Sequence, residues 1–204
     1  YSTWGVFTWG QQVSDRWALE SFVSTREVGL YAVLFQLGYT PILMATGLTT
    51  SLIAPILYQR SGDATDISRN ADVHRITWRI TLFSLLLTLL AFLFALELHE
   101  WGFRLLVASE YQGVSYLMPW VVLAGGLFAA SQMLGVKLAS EMRPSALIPM
   151  KIVTAILGIL LNFYGAYVAG LTGIIAALIA FSTISLLWMV LLSFRLPSTF
   201  QCEN

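Results

Sequence analysis

Gln11 and Gln12 precede Asp15 and Arg16 by about one helical turn, at the end of the chain's first apolar stretch. Two carboxamides, a carboxylate and a guanidinium within two turns exceed what helix packing usually requires. The reading they favour is the lining of a polar, water-filled cavity. Asp15 and Arg16 are adjacent, so on a helix they do not face each other and each needs its own partner. Gln36 and Tyr39 lie about one turn apart in the second apolar segment, which predicts a shared helical face. Gln132 and Asn162 stand inside two later segments. Polar side chains at such depth face protein or water rather than lipid. For Asn162 the preferred role is an interhelical hydrogen bond, worth about 0.6 kcal/mol on average. For Gln36 and Gln132, cavity lining and helix packing are equally open.

Covalent chemistry finds little material, and no enzymatic activity is expected. His74 and His99 fall on opposite membrane faces by the topology below, and neither is followed four residues later by Asp, as a His-x4-Asp acyltransferase needs. Asp63, Asp66 and Asp72 have the wrong spacing for a calcium loop, and no P-loop is present. They read as a solvated loop, with Asp72 as N-cap of the third helix. Cys202 is the only cysteine, so the chain forms no internal disulfide, and it stands third from the end, where a prenylation box needs it fourth. Eleven basic and eleven acidic residues leave no basic patch for nucleic acid. No metal or cofactor site is indicated.

The elements that must position the polar residues follow from composition. Of 204 residues, 57% are hydrophobic and only 11% charged, and mean hydropathy is +0.75. A soluble domain carries about 25% charged residues, so this chain reads as an all-α integral membrane protein. The apolar opening, residues 1–13, is short of the roughly 20 residues a crossing needs. It is expected to be a first helix, about 1–20, cut within the span, with more chain before it in the natural protein. Five further spans are drawn at about 28–58, 76–96, 116–138, 147–168 and 171–194. Pro41 and Pro55 are expected to kink the second. The run from Leu147 to Phe194 is too long for one crossing and must fold back, at Ala169 to Gly173, where two glycines tolerate a tight turn. Small residues four apart, such as Gly125 with Ala129 and Gly126 with Ala130, predict close packing within the bundle in preference to a dimer contact.

Lys and Arg set the orientation. Arg60, Arg69, Arg75, Arg79, Lys137, Arg143, Lys151 and Arg195 share one side, against Arg16, Arg26 and Arg104 on the other. The positive-inside rule then places loops 59–75 and 139–146 and the C-terminus in the cytoplasm. Arg79 and Lys151 are expected to snorkel to the headgroups.

Two stretches carry a resemblance. The first, residues 14–60, has an Asp-Arg pair closing a helix, a short loop, and Val28, Gly29 and Tyr31 opening the next. The second, residues 103–182, has a Ser-Glu-Tyr before a helix, Arg143-Pro144 in a short loop, Leu161-Asn162 in the following helix, and Gly170, Gly173, Ala176 and Ala177 leading into the last. Together they resemble the polysaccharide exporters, the O-antigen and capsule flippase branch of the MATE-like superfamily. The likeness covers nearly the whole chain and is weakest at residues 61–96.

The resemblance implies a six-helix transmembrane bundle, the second lobe of a twelve-helix transporter with its first helix truncated. It implies transport of an undecaprenyl-pyrophosphate-linked oligosaccharide across the bacterial cytoplasmic membrane by alternating access, with the missing N-terminal lobe and membrane lipids as partners. Gln11, Gln12, Asp15, Arg16, Gln36, Tyr39 and Gln132 would line the cavity. Arg16 would grip a phosphate as a planar fork. Asp15 would carry a coupling proton or cation, or hold Arg16 or a loop amide. A proton or sodium gradient would supply the energy, and no cofactor is implied. Rival readings are a cation-coupled drug antiporter of the same superfamily, a cell-wall lipid precursor flippase and a non-transporting scaffold. The antiporter wants an intramembrane acid, whereas every Asp and Glu here is expected near a span end or in a loop.

Overall fold

The computed structural model describes residues 2–61, 67–140 and 144–195. Among them there is no strand. In chain order come α1 (Ser2–Phe22), α2 (Thr25–Leu34), a π turn (Phe35–Tyr39), α3 (Thr40–Ser61), α4 (Ile67–Leu106), a 3-10 segment (Ser109–Leu117), α5 (Met118–Ser140) and α6 (Pro144–Arg195). Among the described residues four helical stretches are long and apolar enough to cross a membrane: Thr25–Gln59, Val73–Leu106, Ser109–Ser140 and Pro149–Phe194.

The burial pattern is that of a protein surrounded by lipid. On α4 the buried side carries Thr77, Thr81 and Thr88, while Leu82, Phe83, Leu86 and Phe94 are exposed. Water would demand the reverse; hydrocarbon does not. Two of the three meet their hydrogen-bonding need locally, and Thr81 Oγ1 has no partner among the described residues. Thr77 Oγ1 donates to the Val73 carbonyl, and Thr88 Oγ1 to that of Ser84, each at 2.8 Å.

α5 is the central helix, and its small residues explain why. A Cβ at Gly126 would overlap Thr88 of α4, and one at Gly125 would lie 3.2 Å from Ile42 and Tyr39. These glycines let neighbouring helices approach closely, so the small-residue spacing serves packing within the bundle.

α6 folds back where expected. Ala169 (φ −140°, ψ 16°) and Gly170 (φ 56°, ψ −130°) leave the helical region. Positive φ at this ψ is a conformation that only glycine adopts without strain. Past the bend the backbones of Gly165 and Gly173 touch, so a Cβ on either would overlap the other's carbonyl. Further along the arms Gly158 meets Phe181, and Met150 shares a buried cluster with Met189. The pairs 165/173, 158/181 and 150/189 close symmetrically about the bend, which makes the arms antiparallel.

Other boundaries differ from expectation. The second span is helical from Thr25 to Ser61, with the π turn ending at Tyr39, two residues before Pro41. The proline ring crowds the carbonyl four residues back and lacks an N–H, and the wider i→i+5 turn absorbs both defects. Pro55 lies inside α3, which continues past it as helix. The third span is part of a 40-residue helix, about 60 Å long at 1.5 Å per residue. Asp72 is therefore five residues inside α4, and does not cap it. Asp63 and Asp66, Cys202 and the Arg143 side chain lie outside the described residues.

The joints gather at two ends. At one, Glu27 Oε2 accepts the Leu171 backbone N–H at 3.0 Å, Phe22 packs edge-on to Tyr167 at 5.7 Å, and His99 meets Ser115 at 3.1 Å. At the other, Trp78 lies 5.2 Å from Phe194 near the cluster of Leu134, Leu138, Met150 and Met189. His74, beside Trp78, and His99 are thus at opposite ends.

Candidate functional site

Ser14 and Asp15 point into the bundle in different directions because consecutive helical residues diverge. Ser14 Oγ donates to the Gln11 carbonyl at 2.8 Å and accepts from Asn162 Nδ2 of α6 at 2.9 Å. Asp15 is 7% exposed. Its Oδ2 accepts the Tyr31 hydroxyl at 2.6 Å, and its Oδ1 the Arg16 backbone N–H at 2.7 Å. Tyr31 is fully buried on α2. Arg16 is exposed, so the two adjacent charges do have separate surroundings. Asn162 is buried and makes an interhelical hydrogen bond, the role preferred for it.

Beside this joint runs a groove. Its first cavity, about 510 Å³, is walled by α1, α3, α5 and both arms of α6, and its polar lining includes Gln11, Gln12, Ser131, Gln132, Lys151 and Thr154. A second, about 490 Å³, is lined by Trp9, Gln11, Gln12, Asp15, Arg16, Tyr39 and Asn162 among others. The two share Gln11, Gln12, Leu43, Phe128 and Phe181, and form one open-sided trough. Both volumes lie in the range of ligand sites. Among the described lining residues the charged groups are Asp15 and Arg16 at one end and Lys151 at the other.

Six of the seven residues singled out by sequence border the trough: Gln11, Gln12, Asp15, Arg16, Tyr39 and Gln132. Gln36 does not. It is exposed, whereas Tyr39 is 4% exposed. Both lie in the π turn, where the wider turn means residues three apart no longer stack, so the shared face expected of an α-helix is lost. Tyr39 instead stacks on Phe35 at 4.5 Å and Phe128 at 6.2 Å.

Asp15 lies two turns before the end of α1 and, unlike an acid in a loop, is buried against the bundle. Lys137 lies in α5, near the end of the span expected at 116–138, yet it is turned inward: it is 2% exposed, with Nζ donating to Ser193 Oγ at 3.3 Å. Lys151, expected to reach the headgroups, borders the trough. Its signal was present in the sequence: Lys151, Thr154, Ala155 and Gly158 make a small and polar stripe at spacings of three and four, facing α1. Tyr31 and Glu27 were also missed as partners. Ser24-x-x-Glu27 has the capping-box pattern, and Ser24 Oγ does accept the Glu27 N–H at 3.3 Å. The Glu27 side chain, however, caps the second arm of α6 instead.

Among the described residues no group of three or more His, Cys, Asp or Glu is placed to hold a metal ion. Compared with family models, curated proteins and solved structures, the chain matches none.

Proposed function

We propose that this chain is one lobe of a two-lobed membrane transporter of the polysaccharide-exporter type, moving a lipid-linked oligosaccharide across the bacterial cytoplasmic membrane. The observation that carries this reading is the open-sided polar trough. Glutamines, serines and threonines from α1, α3, α5 and α6 border it, while the opposite faces of α3 and α4 carry exposed Leu, Met and Phe. Such a surface suits a facing lobe and a hydrated head group, not lipid. In this reading the two arms of α6, with α1, α2–α3, α4 and α5, make the six-helix lobe. Rocking of the two lobes exposes the trough to each side in turn. No bond is made or broken, and no cofactor is needed. A proton or sodium gradient drives the cycle.

The end that gathers Arg75, Arg79, Lys137 and Lys151 faces the cytoplasm by the positive-inside rule. Lys151 then offers a phosphate-bearing head its first cation, and Arg16 its second at the outer end. The test is deletion of the full-length gene. The expected result is loss of surface polysaccharide, with lipid-linked oligosaccharide held on the cytoplasmic leaflet and export restored by the wild-type gene. Unchanged surface polysaccharide, in a strain with no second flippase, refutes the reading.

One observation favours a second reading. Asp15 is an acid buried in the bundle and bordering the trough, the kind of group a cation-coupled antiporter of small molecules uses. Drug sensitivity on deletion, with normal surface polysaccharide, selects it.

A further inference from the structure

A separate crevice of about 390 Å³ opens between α3 and α4, over α5. Small side chains create it: Ala45 and Thr49 on α3, Ser84, Thr88 and Ala91 on α4. The tight contact of Thr88 with Gly126 closes its floor. Its rim is the lipid-facing surface, with Met44 and Leu48 exposed on one side and Phe83 and Leu87 on the other. Three of its hydroxyls are turned onto their own helices. Thr46 donates to the Ile42 carbonyl at 2.7 Å, Thr49 to that of Ala45 and Thr88 to that of Ser84, both at 2.8 Å. These three donors are spent internally, so apart from the Ser84 hydroxyl the crevice presents methyl and methylene groups to an occupant. That selects hydrocarbon.

The crevice and the polar trough flank α3 on two sides. Thr46 borders both. One turn along α3, a gap of about 10 Å³ behind the helix is lined by Thr50 and Val136, which also border the trough, and by Ile80 and Met133, which also border or adjoin the crevice. We infer that the crevice holds the polyprenyl chain of the amphiphile whose polar head lies in the trough, so that the substrate straddles α3 at the level of Thr46 to Thr50. The inference rests on the transport function proposed above. It adds a site for the tail, and it requires α3 to part from α5 there, since the gap is narrower than a chain.

The test uses the full-length protein in phospholipid nanodiscs with a polyprenyl phosphate carrying a diazirine in its isoprenoid chain. After illumination, peptide mass spectrometry maps the adducts. The expected result is labelling concentrated on residues 41–49 and 80–91, competed by unlabelled polyprenyl phosphate and not by added phosphatidylglycerol. Ser84→Phe fills the crevice, and Ala91→Phe fills it from the exposed rim should the first variant fail to fold. Either lowers this labelling by about tenfold or more, as expected for losing roughly one buried apolar side chain's worth of contact. Labelling spread evenly over the lipid-facing leucines, equal competition by phosphatidylglycerol, or a cross-link from the crevice to the facing lobe or a second copy overturns the proposal. Crevice labelling in a protein whose deletion leaves surface polysaccharide unchanged keeps the tail site and removes the flippase function. Diffuse labelling in a protein whose deletion abolishes export removes the tail site alone.

Discussion

Gly173→Ala places a single methyl where the two arms of α6 cross. Two effects oppose each other. Alanine is favoured over glycine inside a helix by about 1 kcal/mol. Against it, a Cβ at Gly173 would overlap the carbonyl of Gly165, and overpacking that forces backbone shifts costs about 1–3 kcal/mol. Here the obstacle is main chain, which has no rotamer to change. The bend is also held, by Gly170 at φ 56° and by Glu27 on the Leu171 N–H, so the arms cannot slide freely to make room. Strain wins, and the expected net loss is about 1–2 kcal/mol. Gly102→Ala is the matched control. Its Cβ would meet nothing within 4 Å, so propensity acts alone and the variant gains about 0.5–1 kcal/mol. Unfolding of the full-length protein in mixed micelles of increasing denaturing detergent, followed by tryptophan fluorescence, measures both. If Gly173→Ala is as stable as Gly102→Ala, the arms do not cross at this point and the fold-back described for α6 is wrong.

The remaining predictions concern the joints that hold the trough. Tyr31→Phe removes the donor to a buried carboxylate and is expected to cost about 1–3 kcal/mol; an unchanged unfolding midpoint would mean the 2.6 Å bond does not form. Glu27→Ala uncaps the second arm of α6, at about 0.5–2 kcal/mol, whereas Glu27→Gln keeps an acceptor oxygen and stays within a few tenths of wild type. Equal damage by the two would show that charge, not the hydrogen bond to Leu171, is what matters. Gly170→Ala forces a side chain into a conformation reserved for glycine, an expected loss of about 1–3 kcal/mol in the same unfolding assay.

What could be read from the sequence depended on whether the cause was local. The fold-back was legible because it needs only an over-long apolar run and a glycine able to take positive φ. The small-residue packing on α5 was legible because the spacing of four is itself the contact surface. The position of Gln36 was not, since it rests on a π turn, and nothing in the apolar pattern distinguishes five residues in a wide turn from five in an α-helix. The burial of Lys137 was hidden for a similar reason. Near a helix end a lysine usually reaches outward, and only the second arm of α6, bringing Ser193 alongside, turns it inward. Glu27 shows the same limit. Its capping-box pattern is local and was available, but its actual partner is 144 residues away and exists only once the bundle has closed.

The dense polar cluster at the end of α1 divides by helical phase, and the division decides which substitutions speak about function. Ser14 and Asp15 are buried and bind α6 and α2. Gln12 and Arg16, four apart and so on one face, are exposed and border the trough. Removing Asp15 therefore takes away a joint between α1 and α2 as well as any coupling group, and a loss of the proposed transport in Asp15→Ala carries both meanings. Tyr31→Phe separates them, because it weakens the same joint and leaves the carboxylate in place. If Tyr31→Phe transports normally while Asp15→Asn does not, the carboxyl itself is used in the cycle. If both fail alike, the joint is what the proposed transport needs. Arg16→Ala and Gln12→Ala carry no such ambiguity, since among the described residues neither side chain joins two helices by a hydrogen bond. Loss of export in these two, at an unchanged unfolding midpoint, is a property of the trough surface and of what binds there.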